Sequence, residues 1–420
     1  MCFRLVLIFQ FLLITSGLRA QSDTTKTQDN GIYSEDHVYM KNIKTVQLTD
    51  SGNTFFYPSI LLGSNQQLYL SFDDLGDDLK KFNYRITYCN AEWKPTLLSP
   101  FYYTSGFDHS EITTYKKSVA TSQHYIHYNL AFPDKYSIFN KSGNYILTVY
   151  QDNDTSKPVF SKRFLIYDQK IKIEAVVTAS TEMQFKNYKQ KINFSIDHTD
   201  YEIKDPYSDL KIVITQNGRW DNAASNLKPS LANDNVITYN SEMDAVFNGG
   251  NEFRLLDLTK ETGHKKQSNP LLIQDENRSF KRYAFSKDLN GKYIVKSIKN
   301  SHDQTEADYV YVHFFLPCEQ IPDGGLYIFG ALSHWQYIPD CKMKYNSNLK
   351  GYENTLYLKQ GLYNYQYVYL KNTETSGDET EIEGMHAETE NDYTIYVYFQ
   401  QAGTNYDQLI GIKQINSLTH

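Results

Sequence analysis

Apolar and polar residues alternate one by one in short runs along nearly the whole chain, and that period of two confines it to half-buried β-strands. Leu68, Leu70 and Phe72 alternate, as do Phe82, Tyr84, Ile86 and Tyr88, then His124, Ile126, Tyr128 and Leu130, then Tyr145, Leu147 and Val149, before Phe160–Ile166 closes the series. A second series takes in Ile171, Ile173, Ala175 and Val177, then Ile192–Ile196, Ile212–Ile214, Val236–Tyr239, Phe253–Leu258 and Tyr293–Val295. A third opens at Tyr309–Phe315 and ends with Tyr393–Phe399 and a tail from Tyr406. No apolar stripe keeps helical spacing over four turns. The 36 Tyr and 23 Phe, against 11 Pro and 6 Met, fit the same reading, because a tyrosine packs one ring face on a sheet while its hydroxyl reaches water or a partner. The chain is predicted to be all-β: three immunoglobulin-like β-sandwich domains in series, over 34–168, 169–305 and 306–420. The polar stretch Asn300–Asp308 sets the second boundary.

The start of the chain is of another kind. Arg4 precedes an almost unbroken apolar run from Leu5 to Ile14, followed by Ser16, Gly17 and Ala20. This is the pattern of a cleavable export signal over 1–20, with Leu18 standing where a small residue is usual. Cys2 lies too early to carry a lipid anchor. Residues 21–33 are polar and read as a disordered mature start. No later apolar run approaches the roughly 20 residues a membrane-spanning helix needs, so the mature protein is expected to be exported, soluble and not inserted in a membrane. Net charge is −7, which speaks against unaided binding to nucleic acid or anionic lipid.

Sites of chemistry are scarce. No zinc-protease, Walker, nucleophile-elbow or dinucleotide motif is present, and no catalytic, cofactor or metal residue is assigned. His124 and His127, three apart in a strand, face opposite ways and cannot share a metal. Asp73, Asp74, Asp77 and Asp78 crowd around Gly76, either as a calcium loop or as a solvated turn. Asp152-Asn153-Asp154 reads the same way at a hairpin tip, and Thr373–Glu383 reads as an exposed acidic hairpin tip. Three cysteines remain after processing: Cys89, Cys318 and Cys341. Cys318 and Cys341 flank a strand and loop, and either pair or stay as buried thiols.

The segment from Gly325 to Leu370 carries Gly330 to Trp335, then Met343, then Leu358-Lys359-Gln360-Gly361-Leu362-Tyr363-Asn364-Tyr365. It is similar to the early-set immunoglobulin-like modules found beside starch- and glycogen-acting enzymes. That resemblance implies a glucan-binding alternative in which Trp335, Tyr363 and Tyr365 form an exposed aromatic platform. An exported hydrolase of unrecognised type is a further alternative. Trp93 and Trp220 each end a strand, and for all three tryptophans a sugar platform, a partner anchor and a core-closing plug are open readings.

A second resemblance covers nearly the whole mature chain in order. Tyr84-Arg85, Tyr88–Trp93, Gly106-Phe107, Tyr115, Tyr125–Tyr128 and Ser142–Tyr145 resemble the first domain of the type IX secretion system plug proteins. Asp205-Pro206, Gln216-Asn217-Gly218-Arg219-Trp220-Asp221-Asn222 and Gly249-Gly250-Asn251-Glu252-Phe253-Arg254 resemble the second. Gly330–Trp335, Lys359–Tyr365, Glu383-Gly384 and Asn391–Tyr393 resemble the third. The family implies a periplasmic, non-enzymatic protein that closes the periplasmic opening of a large outer-membrane translocon barrel when no cargo is in transit. It implies that barrel as partner, no cofactor, and a monomer on its own. No binding residue is carried over.

Overall fold

The computed structural model describes residues 34–50, 57–106, 109–134, 137–241, 243–261, 267–297 and 304–418. The export signal 1–20 and the polar start 21–33 lie outside the described residues, as do Phe107 and residues 300–303 of the polar boundary stretch. The fold is nearly all β. Among the described residues, three α-helices occur, each a single turn: Pro100–Tyr103, Pro206–Asp209 and Thr380–Glu383. Proline at the first position of two of them starts a turn at no cost in backbone donors, and Asp205 caps the second through the Tyr207 N–H.

The first unit is a sandwich of two antiparallel-dominated sheets. One places Pro158–Tyr167 beside Gly143–Gln151, which pairs in turn with Phe82–Cys89. The other aligns Ile43–Asp50, Leu68–Asp74, Ile126–Phe132 and Thr114–Lys117. Their inward faces form one core from Ile43 to Ile166, rich in rings such as Phe72, Phe82, Tyr128 and Phe160. Asp152 and Asn153 take positive φ in the six-residue connection between two of its strands, where Asp154 accepts from Ser156 and pairs with Lys157.

The remaining chain does not divide at 305. Lys172–Ala179, Lys189–Asp197 and Val236–Tyr239 form one sheet of the second unit, and Leu210–Gln216 opens the other. The strand that pairs with Leu210–Gln216 is Asp392–Phe399, which in turn pairs with Gln408–Asn416. Tyr393, Ile395, Val397 and Ile410 therefore complete the core begun by Ile171 and Ile173. The third unit sits inside the second as an insertion. It takes Arg254–Asp257, Leu271–Gln274 and Tyr293–Val295 from the segment expected to be second-domain, and packs them with Tyr309–Pro317, Gly324–Phe329, Gly351–Lys359 and Gly361–Lys371. Tyr293–Val295 and Tyr309–Pro317, on either side of the expected boundary, belong to two sheets of one sandwich. Period-two alternation tells which segments are strands, but not that Leu210 pairs with Phe399 across nearly half the chain.

The two crossings into and out of the inserted unit run against each other. The His386 N–H donates to the Gly250 carbonyl (2.9 Å), and a Cβ on Gly249 would lie 1.9 Å from the His386 carbonyl oxygen. Gly250 has φ +67°, a conformation side chains disfavour. The Gly249-Gly250 pair is thus required by close approach of two backbones.

Candidate functional site

Most of the buried charge and the three tryptophans collect at the seams between units. Between the first and second units, Trp93 stands edge-on to Trp220, with ring centroids 5.1 Å apart at 90°. Trp220 stacks on Tyr396 at 5.2 Å, and the Arg163 guanidinium lies 4.5 Å from the Trp93 ring. Cys89, Ala91, Leu165, Val213, Tyr398 and Leu409 fill the rest of this seam. It is tied by the Tyr398 hydroxyl to Asn144 Oδ1 (2.8 Å) and by the Ala91 N–H to Asp407 Oδ2 (2.9 Å). An aromatic and aliphatic seam of this kind behaves as a core shared by two sandwiches.

Between the first and third units the seam is ionic. Asp73 accepts from Lys359 Nζ (2.6 Å) and from the Tyr309 hydroxyl (2.7 Å), and its other oxygen meets His127 Nδ1 at 2.6 Å. The side chains of Asp73 and Lys359 are 0% exposed. Lys359 also lies over the Tyr125 ring, 4.2 Å from its centroid. Burial alone would raise the Asp73 carboxyl, but Lys359 and His127 outweigh it and hold the group below the usual carboxylate range. Asp308 adds a second clasp, accepting from the Ser122 N–H (2.9 Å) and the Gln123 N–H (3.2 Å).

Between the second and third units, Arg219 is held by Asp221 through two donors (3.0 and 2.8 Å) and reaches Glu379 of the inserted unit at 3.2 Å. The Tyr337 hydroxyl donates to Asp221 Oδ2 (2.6 Å). Burial pushes Glu379 up even beside the guanidinium, while the coulombic pull of Arg219 overcomes burial at Asp221 and lowers it. Inside the third unit, Arg254 grips Glu383 through two bonds of 3.0 Å, and Arg278 donates to the same carboxylate (2.8 Å). Planar, bidentate arginines suit such buried pairs.

These contacts correct several expectations. Asp73 and Asp74 belong neither to a calcium loop nor to a solvated turn: both are fully buried, one on Lys359 and the other on Lys80 (2.6 Å), and only Asp77 and Asp78 are exposed. The acidic segment Thr373–Glu383 is an exposed tip only over Thr373–Thr375. It turns inward at its end, so that Glu379 and Glu383 become the acceptors of Arg219 and Arg254. His124 lies exposed before its strand begins, while His127 is buried on Asp73. Cys89, Cys318 and Cys341 are free thiols, with Cys89 and Cys341 buried.

All three tryptophans line one cleft of about 770 Å³ where the three units meet, together with Arg163, Lys211 and Tyr337. Trp335 is half-buried there, edge-on to Phe329 and Phe253. Tyr363 and Tyr365 are not in it. They are 3% and 1% exposed, with hydroxyls on the Lys359 carbonyl (2.6 Å) and Asp275 (2.7 Å), so they offer no surface to a glucan. The aromatic platform expected of Trp335, Tyr363 and Tyr365 is absent. The arginine clasps were missed in the sequence, although Arg219 and Arg254 stood within the quoted motifs. Their acceptors Glu379 and Glu383 lie more than a hundred residues away, although Asp221 stands two residues from Arg219.

Comparison with known proteins adds two findings. The family described as type 9 secretion system plug protein, first domain, matches residues 43–168. The crystal structure of a hypothetical protein from Parabacteroides merdae ATCC 43184 is similar over 91% of this chain and 99% of that one, at 33% identity and a TM-score of 0.86. No curated protein matches. Among the described residues, no helix is long and apolar enough to cross a membrane.

Proposed function

Because the chain belongs to the type 9 secretion system plug family, we propose that it is the removable stopper of that system, closing the periplasmic mouth of its outer-membrane barrel while no cargo passes. One observation carries this reading beyond the family. The three sandwiches are welded at every seam, by the Trp93–Trp220–Tyr396 stack, the Asp73–Lys359 pair and the Arg219–Glu379 pair, and are not beads on flexible linkers. A pore wide enough for folded proteins leaks unless something bulky and stiff covers it. A welded block resists being threaded or flexed out of place, and can still be displaced whole. Catalysis has no part in this role: among the described residues, the buried histidine–carboxylate pair, His127 with Asp73, is sealed from solvent-borne substrate. The chain acts in the periplasm as a monomer, partnered by the barrel and by neither nucleic acid nor lipid. Its net charge of −7 suits a partner surface that is not anionic.

Deletion of the gene tests this. The outer membrane should become permeable to large antibiotics, and the leak should vanish when the barrel is deleted as well. Unchanged permeability in the single deletion, with the barrel present and assembled, would overturn the assignment.

A further inference from the structure

The two crossings between the second and third units bring carboxylates to one place. Glu252 follows the outgoing crossing, Glu390 precedes the returning strand, and Asp288 comes from a loop of the inserted unit. Each offers an oxygen, and the three oxygens lie within 4.8 Å of one another. Glu252 is only 1% exposed. Its Oε1 accepts from the Tyr283 hydroxyl (2.5 Å) and the Glu390 N–H (3.2 Å), whereas its Oε2 is buried with no donor. Asn290 is bonded to two of the three, through its N–H to Asp288 (2.6 Å) and its amide to Glu390 (3.4 Å), and its own Oδ1 is also buried without a donor. Two cations lie nearby, and their charges act on the cluster through space. Lys292 reaches Asp392 at 3.6 Å, and Arg278 gives its side chain to Glu383 (2.8 Å) and to the Glu252 carbonyl (2.7 Å). Three carboxylates and donor-free buried oxygens are an arrangement that costs free energy unless positive charge enters it.

We propose that this junction binds a hard divalent cation of the calcium type, with Glu252, Asp288 and Glu390 as protein ligands and water completing the shell. The donor set is all oxygen, which suits calcium and disfavours zinc or copper. An ion there holds both crossings at once and so fixes the inserted unit on the second, independently of what the whole protein plugs.

The test uses the mature chain stripped with a chelator and titrated with terbium, a calcium substitute whose luminescence Tyr283, bonded to Glu252, is placed to sensitise. The expected result is a saturable signal displaced by calcium at roughly millimolar concentration or below, and a melting temperature raised by calcium. Glu252→Gln and Glu390→Gln should each weaken binding by at least about tenfold while circular dichroism stays native, and Tyr283→Phe should dim the signal more than it weakens calcium binding. The proposal is overturned if the wild-type chain shows neither saturable terbium signal nor a calcium-dependent melt. It is equally overturned if both Gln variants bind like the wild type.

Discussion

Lys359→Met removes an ammonium from a carboxylate that has no solvent to turn to. Asp73 and Lys359 are 2.6 Å apart with side chains 0% exposed, so neither charge is screened by water. Removing one partner of such a pair costs about 3–5 kcal/mol, whereas replacing both by apolar side chains is often neutral. Asp73 keeps the Tyr309 hydroxyl at 2.7 Å and His127 at 2.6 Å, which puts Lys359→Met at the lower end, about 3 kcal/mol. Asp73→Leu takes the carboxylate from the lysine and belongs at the upper end, about 5 kcal/mol. In the double variant both charges are gone, and its cost should fall below about 2 kcal/mol, a strong departure from additivity. The two residues sit in different units, so urea unfolding followed by circular dichroism and by tryptophan fluorescence should show both signals shifting together. The pH dependence has a definite sign. Asp73 is held below its unfolded value, so its stabilisation is present above about pH 4 and is lost as the pH falls through the folded value. The gap between wild type and Lys359→Met should therefore close on acidification. Single variants that each cost under about 1 kcal/mol and add in the double would refute the reasoning.

Three other outcomes follow from the seams and the topology. Arg254→Ala should destabilise the chain by about 3 kcal/mol or more in thermal melts, because Glu383 stays buried, and Arg254→Lys should not restore it, for want of a bidentate fork. A fragment of residues 251–386 should give a dispersed, folded NMR spectrum and 306–420 should not, since the latter carries Asp392–Phe399 without its partner Leu210–Gln216 and lacks Arg254–Asp257. Thiol titration of the denatured, unreduced mature chain should find three thiols. The native chain should react more slowly, because burial pushes Cys89 and Cys341 up to about 12 and Cys318 up to about 11, and a titre of one would mean that Cys318 and Cys341 are paired.

The strands were legible because half-burial writes itself into the chain two residues at a time: Leu68, Leu70 and Phe72 point into one core, as their alternation requires. The insertion was not legible, because a strand's partner leaves no local trace. Tyr393–Phe399 looks like the end of whatever precedes it, and only pairing with Leu210–Gln216 places it in the second sandwich. Charged groups misled for the same reason. Asp73 among four aspartates has the composition of a surface turn, and the lysine that buries it is 286 residues away. Glu379 and Glu383 sit in an acidic loop whose arginines lie in two earlier motifs. The aromatic platform failed because alternation assigns a face to Tyr363 and Tyr365 without saying that their face is the core.

Imaging single particles of the translocon, purified through its barrel from cells making the tagged chain, tests the central claim most directly. The account predicts that cargo-free particles carry a block of three sandwiches across the periplasmic mouth, through an interface of at least about 1,200 Å², and that cargo-bound particles lack it. Cargo-free particles with an open mouth, or the block equally present with and without cargo, would contradict it.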